Sequence, residues 1–388
     1  MPPPVYLDNA ATTRVRPEVR EAMLPYLGEV FGNPSSAHRF GRAARAGIEH
    51  ARRQLAAALG AEPAQVFFTS GGTEADNLAV SGAALAARAA GHRPHVAVSA
   101  IEHKAVLAAA HFVAALDGTE ELLPVTADGI LALGGLDDAL TRRPTLISVM
   151  WVNNETGAVQ PVEAVAARCR DAGVPFHTDA VQAFGQLPLR FESLGADLLT
   201  VSAHKIGGPK GVGALIVRDR ARIHPVVRGG SQQAGVRPGT ENAAGVVGFG
   251  RAAELAAREQ AEHAGRVAKF RDRLRDALRA GVSDLVVIEP PERAPHILTV
   301  CVPGADSEAL LMHLDLAGIA AGSGSACTTG TVEPSHVLAA MGVPRELAIS
   351  AVRFSLGRET TADDVACAAE VFPAVVAKVH QLAGVLGR

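Results

Sequence analysis

The order of elements along the chain predicts an α/β fold, with a large domain on a mainly parallel sheet followed by a smaller α+β domain. Three observations carry that expectation. Short β-type runs alternate with helical patterns between residues 66 and 217, which implies right-handed crossovers and parallel neighbours. Polar residues gather where those runs end, the place where open parallel sheets bind ligands. From 243 to 280 a long helical stretch changes the texture of the chain, and shorter strands and helices mix beyond it.

The 388 residues are 48% hydrophobic and 20% charged, which is enough apolar material for one large or two ordinary domains and too much for a disordered chain. A formal net charge of −3 creates no global field toward nucleic acid or anionic membrane, so a small molecule is the expected partner. The opening Met1-Pro2-Pro3-Pro4 lacks the basic segment and apolar core of a signal peptide. No apolar stretch reaches bilayer length without glycine, proline or charge, and a cytoplasmic protein is expected.

In order, the chain opens on an irregular arm, 7–13, and a turn-rich patch, 31–36. Ile48, Ala51, Leu55, Ala58 and Leu59 then recur at helical spacing up to Gly60, with Arg42, Arg45, Arg52 and Arg53 read as a solvated face. Strands are expected at 66–69, 96–99, 146–150, 174–177, 198–201 and 214–217, each a run of strand length rich in apolar or β-branched residues. Beyond the long helix, strands near 285–288, 296–302 and 352–356 mix with helices around 307–316 and 362–386. The basic run 269–276 interleaves arginine with aspartate at helical spacing, which marks an amphipathic helix rather than a nucleic-acid contact.

Two strand ends carry chemistry. Residues 66–69 lead into Ser70-Gly71-Gly72-Thr73-Glu74 and an alanine-rich helix. A strand, a glycine turn and a helix start make an anion site, because free N–H groups and the positive end of the helix dipole meet there; Thr73 reads equally well as a helix cap. Residues 198–201 break into Ser202-Ala203-His204-Lys205 and then Gly207-Gly208, leaving a lysine exposed at a strand end beside glycines that let a ligand approach. Such an amine suits a Schiff base with an aldehyde, which pyridoxal phosphate supplies. Other strand ends bring Glu102-His103-Lys104, Asn153-Asn154-Glu155 and Thr178-Asp179-Ala180-Val181-Gln182.

Four cysteines form no C-x-x-C pair, and the histidines form no H-E-x-x-H; with no P-loop either, metal hydrolases and P-loop enzymes fall away. Cys169, Cys301 and Cys367 read as packing residues. Cys327 is different, because Gly322-Ser323-Gly324-Ser325-Ala326 and Thr328-Thr329-Gly330 flank it with small polar residues and predict a mobile, exposed loop.

Together these segments resemble the cysteine desulfurases of the long-loop, NifS/IscS-like group, in the class V branch of the pyridoxal-phosphate-dependent aminotransferase-like fold. The matching motifs run in the family's order over nearly the whole chain: LDNAATT, FGNPSS, FTSGGTEADN, EHKAVL, VNNETGAVQP, HTDAVQAFG, SAHKIGGPKG, RPGTEN, GSGSACTTGTVEPSHVL and VRFSLGR. The resemblance implies a large cofactor-binding domain at 16–250 with a seven-stranded type of sheet. An N-terminal arm, 1–15, would join a small domain, 251–388, that carries the cysteine loop.

By the same resemblance, Lys205 bears the pyridoxal phosphate, Asp179 faces the ring nitrogen, Gln182 donates to the ring hydroxyl, and His103 stacks on the ring as a catalytic group. Gly72, Thr73, Ser202 and His204 hold the phosphate, and Thr240 reaches it from the other subunit, which implies a homodimer. Asn154 borders ring and substrate, and Arg353 grips the substrate carboxylate. Read from the residues alone, His103 has a helix cap or a core residue as its alternative, and Arg353 a structural ion-pair partner.

The implied activity removes sulfur from L-cysteine, giving L-alanine and a persulfide on Cys327. That sulfur passes to an acceptor protein for iron–sulfur cluster assembly or tRNA thiolation. No intrinsic metal is implied, Cys327 being at most a transient iron–sulfur ligand, and neither nucleic acid nor membrane is a direct partner. Position 207 is glycine where relatives commonly carry an aromatic residue, a mild change in loop packing. The sequence ends soon after its last helix, where relatives dedicated to cluster assembly carry a tail that docks the scaffold, so the acceptor stays open. Selenocysteine lyase, another class V aminotransferase and a non-catalytic partner protein of the same fold are the rival readings.

Overall fold

The computed structural model describes residues 4–323 and 333–386; Cys327 lies outside them. The arm contributes β1 (Val5–Tyr6), and α1 (Pro17–Leu27) follows with a proline in its first turn. Sequence periodicity misses α1 because Val19 is its one buried residue and Pro25 interrupts the pattern. The next helix, α2 (Arg39–Leu59), starts at His38, whose ring accepts the Gly41 N–H, and stops at Gly60 in the left-handed region at φ 62°. Arg52 leaves the expected solvated face. It is mostly buried, donates to the Val66 carbonyl and to Gln233 Oε1 (3.0 Å), and stacks 5.0 Å over the Phe68 ring.

The large sheet comprises β2 (Val66–Thr69), β3 (His95–Ser99), β4 (Thr119–Leu123), β5 (Leu146–Ser148), β6 (Phe176–Asp179), β7 (Leu198–Ser202) and β8 (Gly213–Val217). Between them run α3 (Gly72–Ala89), α4 (Lys104–Phe112), α5 (Leu133–Thr141), α6 (Val162–Ala172) and the single turn α7 (Phe191–Leu194). Strand order is β2-β8-β7-β6-β5-β3-β4. From β7 to β4 every pairing is parallel, while β8 runs antiparallel to both its neighbours. The unexpected strand, β4, forms the edge, where Glu120 and Glu121 are tolerated because part of it faces water.

The 39-residue α8 (Ala243–Gly281) runs unbroken across the expected boundary between 250 and 251. Its first part buries Val246, Phe249 and Leu255 in the core of the large sheet, and its second part buries Val267, Leu274 and Leu278 in a separate core. Between Leu255 and Val267 the helix buries no residue, so its two ends serve the two cores separately. In the 269–276 run Arg271 is buried, donates to the Ala294 carbonyl and pairs with Asp272, which also takes Arg275.

The second core surrounds β9 (Val286–Ile288), β10 (Ile297–Cys301), β11 (Ile319–Ala320) and β12 (Ala351–Ser355), with α9 (Ser307–Leu316) and α12 (Ala362–Leu386), while α10 (His336–Ala340) and α11 (Arg345–Ala348) pack in a smaller cluster with Ile101 and Cys301. Antiparallel β12-β10-β9 form one sheet, and β1 pairs in parallel with β11, which ties the arm to this unit. Part of α12, Ala362–Leu382, is long and apolar enough to cross a membrane by length and composition alone. It also carries Glu370, Pro373 and Lys378, and it buries Val365, Ala368, Phe372, Val375, Val376 and Val379 in the core. Cys169 and Cys301 are buried, which pushes both thiols up to about 12, and Cys367 is half-buried.

Candidate active site

The two strand ends singled out by sequence lie against each other. The helix α3 starts at Gly72 after Gly71, and no side chain caps it, so its first N–H groups stay free for a ligand. Thr73 is therefore not the cap; it sits exposed within the first turn. The turn is held by Glu74, which accepts the Ser70 N–H at 2.7 Å and grips Arg237 through two bonds of 2.7 and 3.2 Å. Gly213 has to be glycine, because a Cβ there would approach the Gly71 backbone to 2.6 Å.

Facing this turn, β7 ends at Ser202, which is buried and whose hydroxyl has no hydrogen-bond partner. Gly72, Thr73, Ser202 and His204 line one cavity of about 370 Å³ together with Thr12, Lys210 and Gly211. The His204 ring shares a hydrogen bond with the Thr12 hydroxyl (3.2 Å). Burial, reinforced by the charges of Lys205 and Lys210, pulls that imidazole down to about 4, so it is neutral at physiological pH.

Lys205 ends a short 3-10 turn, Ala203–Lys205, and is half-buried rather than exposed. Its Nζ donates to the carbonyls of Ala10 and Ala11, the latter at 2.8 Å. Burial above all, and then the Arg353 charge, lower its ammonium to about 8, while Asp179 and Asp8 pull the other way. Lys205 and Gln182 line a second cavity of about 520 Å³ that shares Thr12 and Lys210 with the first. Gln182 donates to the Ala10 carbonyl (2.9 Å), and its Oε1 meets His296 Nε2 at 3.1 Å. Asp179, buried at the end of β6, accepts the Val181 N–H at 2.8 Å; burial raises its carboxyl, opposed by that N–H and by the nearby charge of Lys205.

Other expected residues are held differently. His103 caps α4, its Nδ1 accepting the Ala105 N–H at 3.2 Å, and it stays exposed. Arg353, buried in β12, donates to the Asn154 carbonyl (2.7 Å) and pairs with Asp8 (2.8 Å), leaving its Nε without a partner. The half-buried Asn154 thus meets Arg353 through its backbone. Thr240 is exposed and lines neither cavity. Gly207 has φ 78°, and a Cβ there would approach Arg16 Cγ to 2.6 Å, so a larger side chain would strain the backbone and displace Arg16. Sequence reasoning assigned no role to Asp8, Ala10, Ala11 or Thr12, although the LDNAATT segment was visible; its contacts with Lys205, His204 and Arg353 are the missing signal.

Residues 5–367 match the family model for Aminotransferase class-V. The chain belongs to that family, among the cysteine desulfurases. It is 43% identical over 379 residues to a cysteine desulfurase IscS of Dictyoglomus turgidum, covering 97% of this chain and 96% of the relative. A solved structure described as a NifS-like protein superposes with a TM-score of 0.90 at 34% identity, covering 97% of this chain and all (100%) of that one. A solved structure of SspA in complex with cysteine matches with a TM-score of 0.78 at 32% identity, covering 91% of this chain and 98% of the other.

Class V cysteine desulfurases are pyridoxal-phosphate enzymes, and the residues here suit that group. The orphaned Ser202 hydroxyl and the uncapped start of α3 form a cradle for a phosphate. The lowered Lys205 amine suits an aldehyde, and the buried Asp179 carboxyl suits a ring nitrogen that carries a proton.

Proposed function

We propose that the chain removes sulfur from L-cysteine with pyridoxal phosphate, releases L-alanine, and passes the sulfur through Cys327 to an acceptor protein. The observation that carries this reading is the Lys205 amine, lowered to about 8, beside an unpartnered Ser202 and the open start of α3. Family membership and the cysteine complex of the SspA relative support the substrate.

Gly72, Thr73, Ser202 and His204 would hold the phosphate, with Thr240 of a second copy completing the grip in a homodimer. When bound, the cofactor supplies an electron sink for the substrate's α carbon. Lys205 would hold it, and its Nζ is the base placed to take the proton from that carbon. Asp179 would keep the ring nitrogen protonated, Gln182 would donate to the ring hydroxyl, and His103 would cover the ring face. Asn154 and Arg353 orient the substrate, whose carboxylate replaces Asp8 on the guanidinium. The Cys327 thiolate attacks the substrate sulfur, so that an S–S bond forms as the substrate C–S bond breaks. The resulting persulfide is reset by a sulfur acceptor, which for a cytoplasmic enzyme of this kind is an iron–sulfur scaffold or a tRNA-thiolation protein.

The deciding experiment is Cys327→Ser. It keeps bound cofactor and still binds cysteine, yet releases essentially no alanine, and mass spectrometry of the wild type after a cysteine pulse finds one extra sulfur on the Cys327 peptide. Near-normal alanine production by the variant, or sulfur on Cys169, Cys301 or Cys367, would refute the reading.

A further inference from the structure

More acid lies beneath the site than the proposed chemistry uses. Asp76 on α3, Glu102 beyond β3 and Asp179 at the end of β6 are 1%, 0% and 5% exposed, and Asp179 is close enough to both others for their charges to interact. Three negative charges in so small a dry volume repel one another and lose their hydration. Of the three, Asp179 is the one with a cation to offset it, Lys205. Glu102 accepts the Met150 N–H at 2.5 Å on Oε1, while Oε2 has no hydrogen-bond partner.

Asp76 belongs to the FTSGGTEADN segment, yet the phosphate cradle does not use it. Its Oδ1 also lacks a hydrogen-bond partner; Thr200 of β7 faces the carboxyl, and the His177 ring of β6 stands 3.8 Å off. His177 does not serve as its counter-ion. Its Nδ1 meets the Ser148 hydroxyl at 2.8 Å and its Nε2 the Thr200 hydroxyl at 3.0 Å. A hydroxyl either donates or accepts, so these two satisfy a neutral imidazole on both sides. Burial works in the same direction, pulling the His177 ring down to about 3 and raising Asp76 and Glu102 well above the usual carboxylate range.

We propose that Asp76 is a positioning residue for Asp179: it lies near it as an uncharged acid, faced by Thr200 and the His177–Ser148 pair, so that Asp179 bears the charge of the buried trio. The proposal rests on the reading that Asp179 faces the ring nitrogen of pyridoxal phosphate. A second carboxylate beside Asp179 would push protons onto both; an uncharged acid fills the space and leaves Asp179 ionised to face the cofactor.

The test uses the holoenzyme in two measurements. Infrared spectra of protein carrying aspartate labelled with carbon-13 at the side-chain carboxyl show an isotope-sensitive protonated-acid band at neutral pH. That band disappears in Asp76→Asn and persists in Asp179→Asn. The pH midpoint of the bound cofactor's visible absorbance stays within about 0.3 unit in Asp76→Asn and falls by about one unit or more in Asp179→Asn. An Asp179→Asn variant with an unmoved midpoint overturns the reading of the site itself. A moved midpoint there, with an equal fall in Asp76→Asn or no labelled protonated band in the wild type, overturns the role of Asp76 alone. A wild-type spectrum without that band overturns the role of Asp76 even if the variant does not fold.

Discussion

Ser202 at the end of β7 and Arg353 in β12 are both buried polar residues of the candidate site, and the fold treats them in opposite ways. The Ser202 hydroxyl has no hydrogen-bond partner, and the helix start opposite it has no cap. Arg353 is engaged by the Asp8 carboxylate and the Asn154 carbonyl. An unpaired buried group costs free energy until something pairs it, so the proposed phosphate end would gain on binding. Arg353 is self-paired, and in the proposed function the substrate carboxylate would take the place of Asp8. That exchange is cheap, because the Asp8 side chain is 23% exposed and can return to water while Arg353 stays buried.

The contrast can be broken most sharply at Lys205, beside both ends. Lys205→Ala should fold and still hold the cofactor without a covalent link, with alanine formation falling by roughly 10³-fold or more. Borohydride should fix no cofactor to it, and fixation at another lysine would show the assignment wrong. Arg353→Lys should raise KM for cysteine by about 10- to 100-fold and change kcat far less, since a point charge replaces a two-pronged grip. An unchanged KM would mean that the arginine is only a structural partner of Asp8.

A pH series sharpens the comparison from the amine side. With Lys205 lowered to about 8, the reactive neutral amine grows as pH rises toward 8 and levels off above it. Covalent cofactor capture by the cofactor-free protein should therefore rise about tenfold per unit well below that pH and flatten above it, read by stopped-flow absorbance. Capture still climbing steeply past pH 9 would mean that burial does not lower the amine. Asp8→Asn should lower KM only about threefold, because it removes a partly solvated competitor for Arg353. The smallest effect on catalysis belongs to Cys301→Ser: a hydroxyl in an apolar strand should cost about 1–3 kcal/mol in denaturant unfolding and leave the rate per folded enzyme unchanged.

Local pattern made much of the architecture legible. Residues 66–69 and 198–201 read as strands because bulky and β-branched side chains fill them, and α9 and α12 read as helices because their apolar residues repeat every three or four. The edge strand β4 and the helix α1 escaped because neither buries a full face. Arg52 was misjudged because its partners, Val66 and Gln233, are not its helical neighbours.

The sequence by itself determined which residues are candidates for chemistry, since a lysine after a buried strand and a glycine turn before a helix are local statements about side chain and backbone. Only the tertiary structure decided their state. Lys205 is lowered because the arm at Ala10 and Ala11 and the guanidinium of Arg353 close around it, and Arg353 is held by an aspartate 345 positions away in the chain. Burial and charge act through space, and no window along the sequence contains the neighbours that set them.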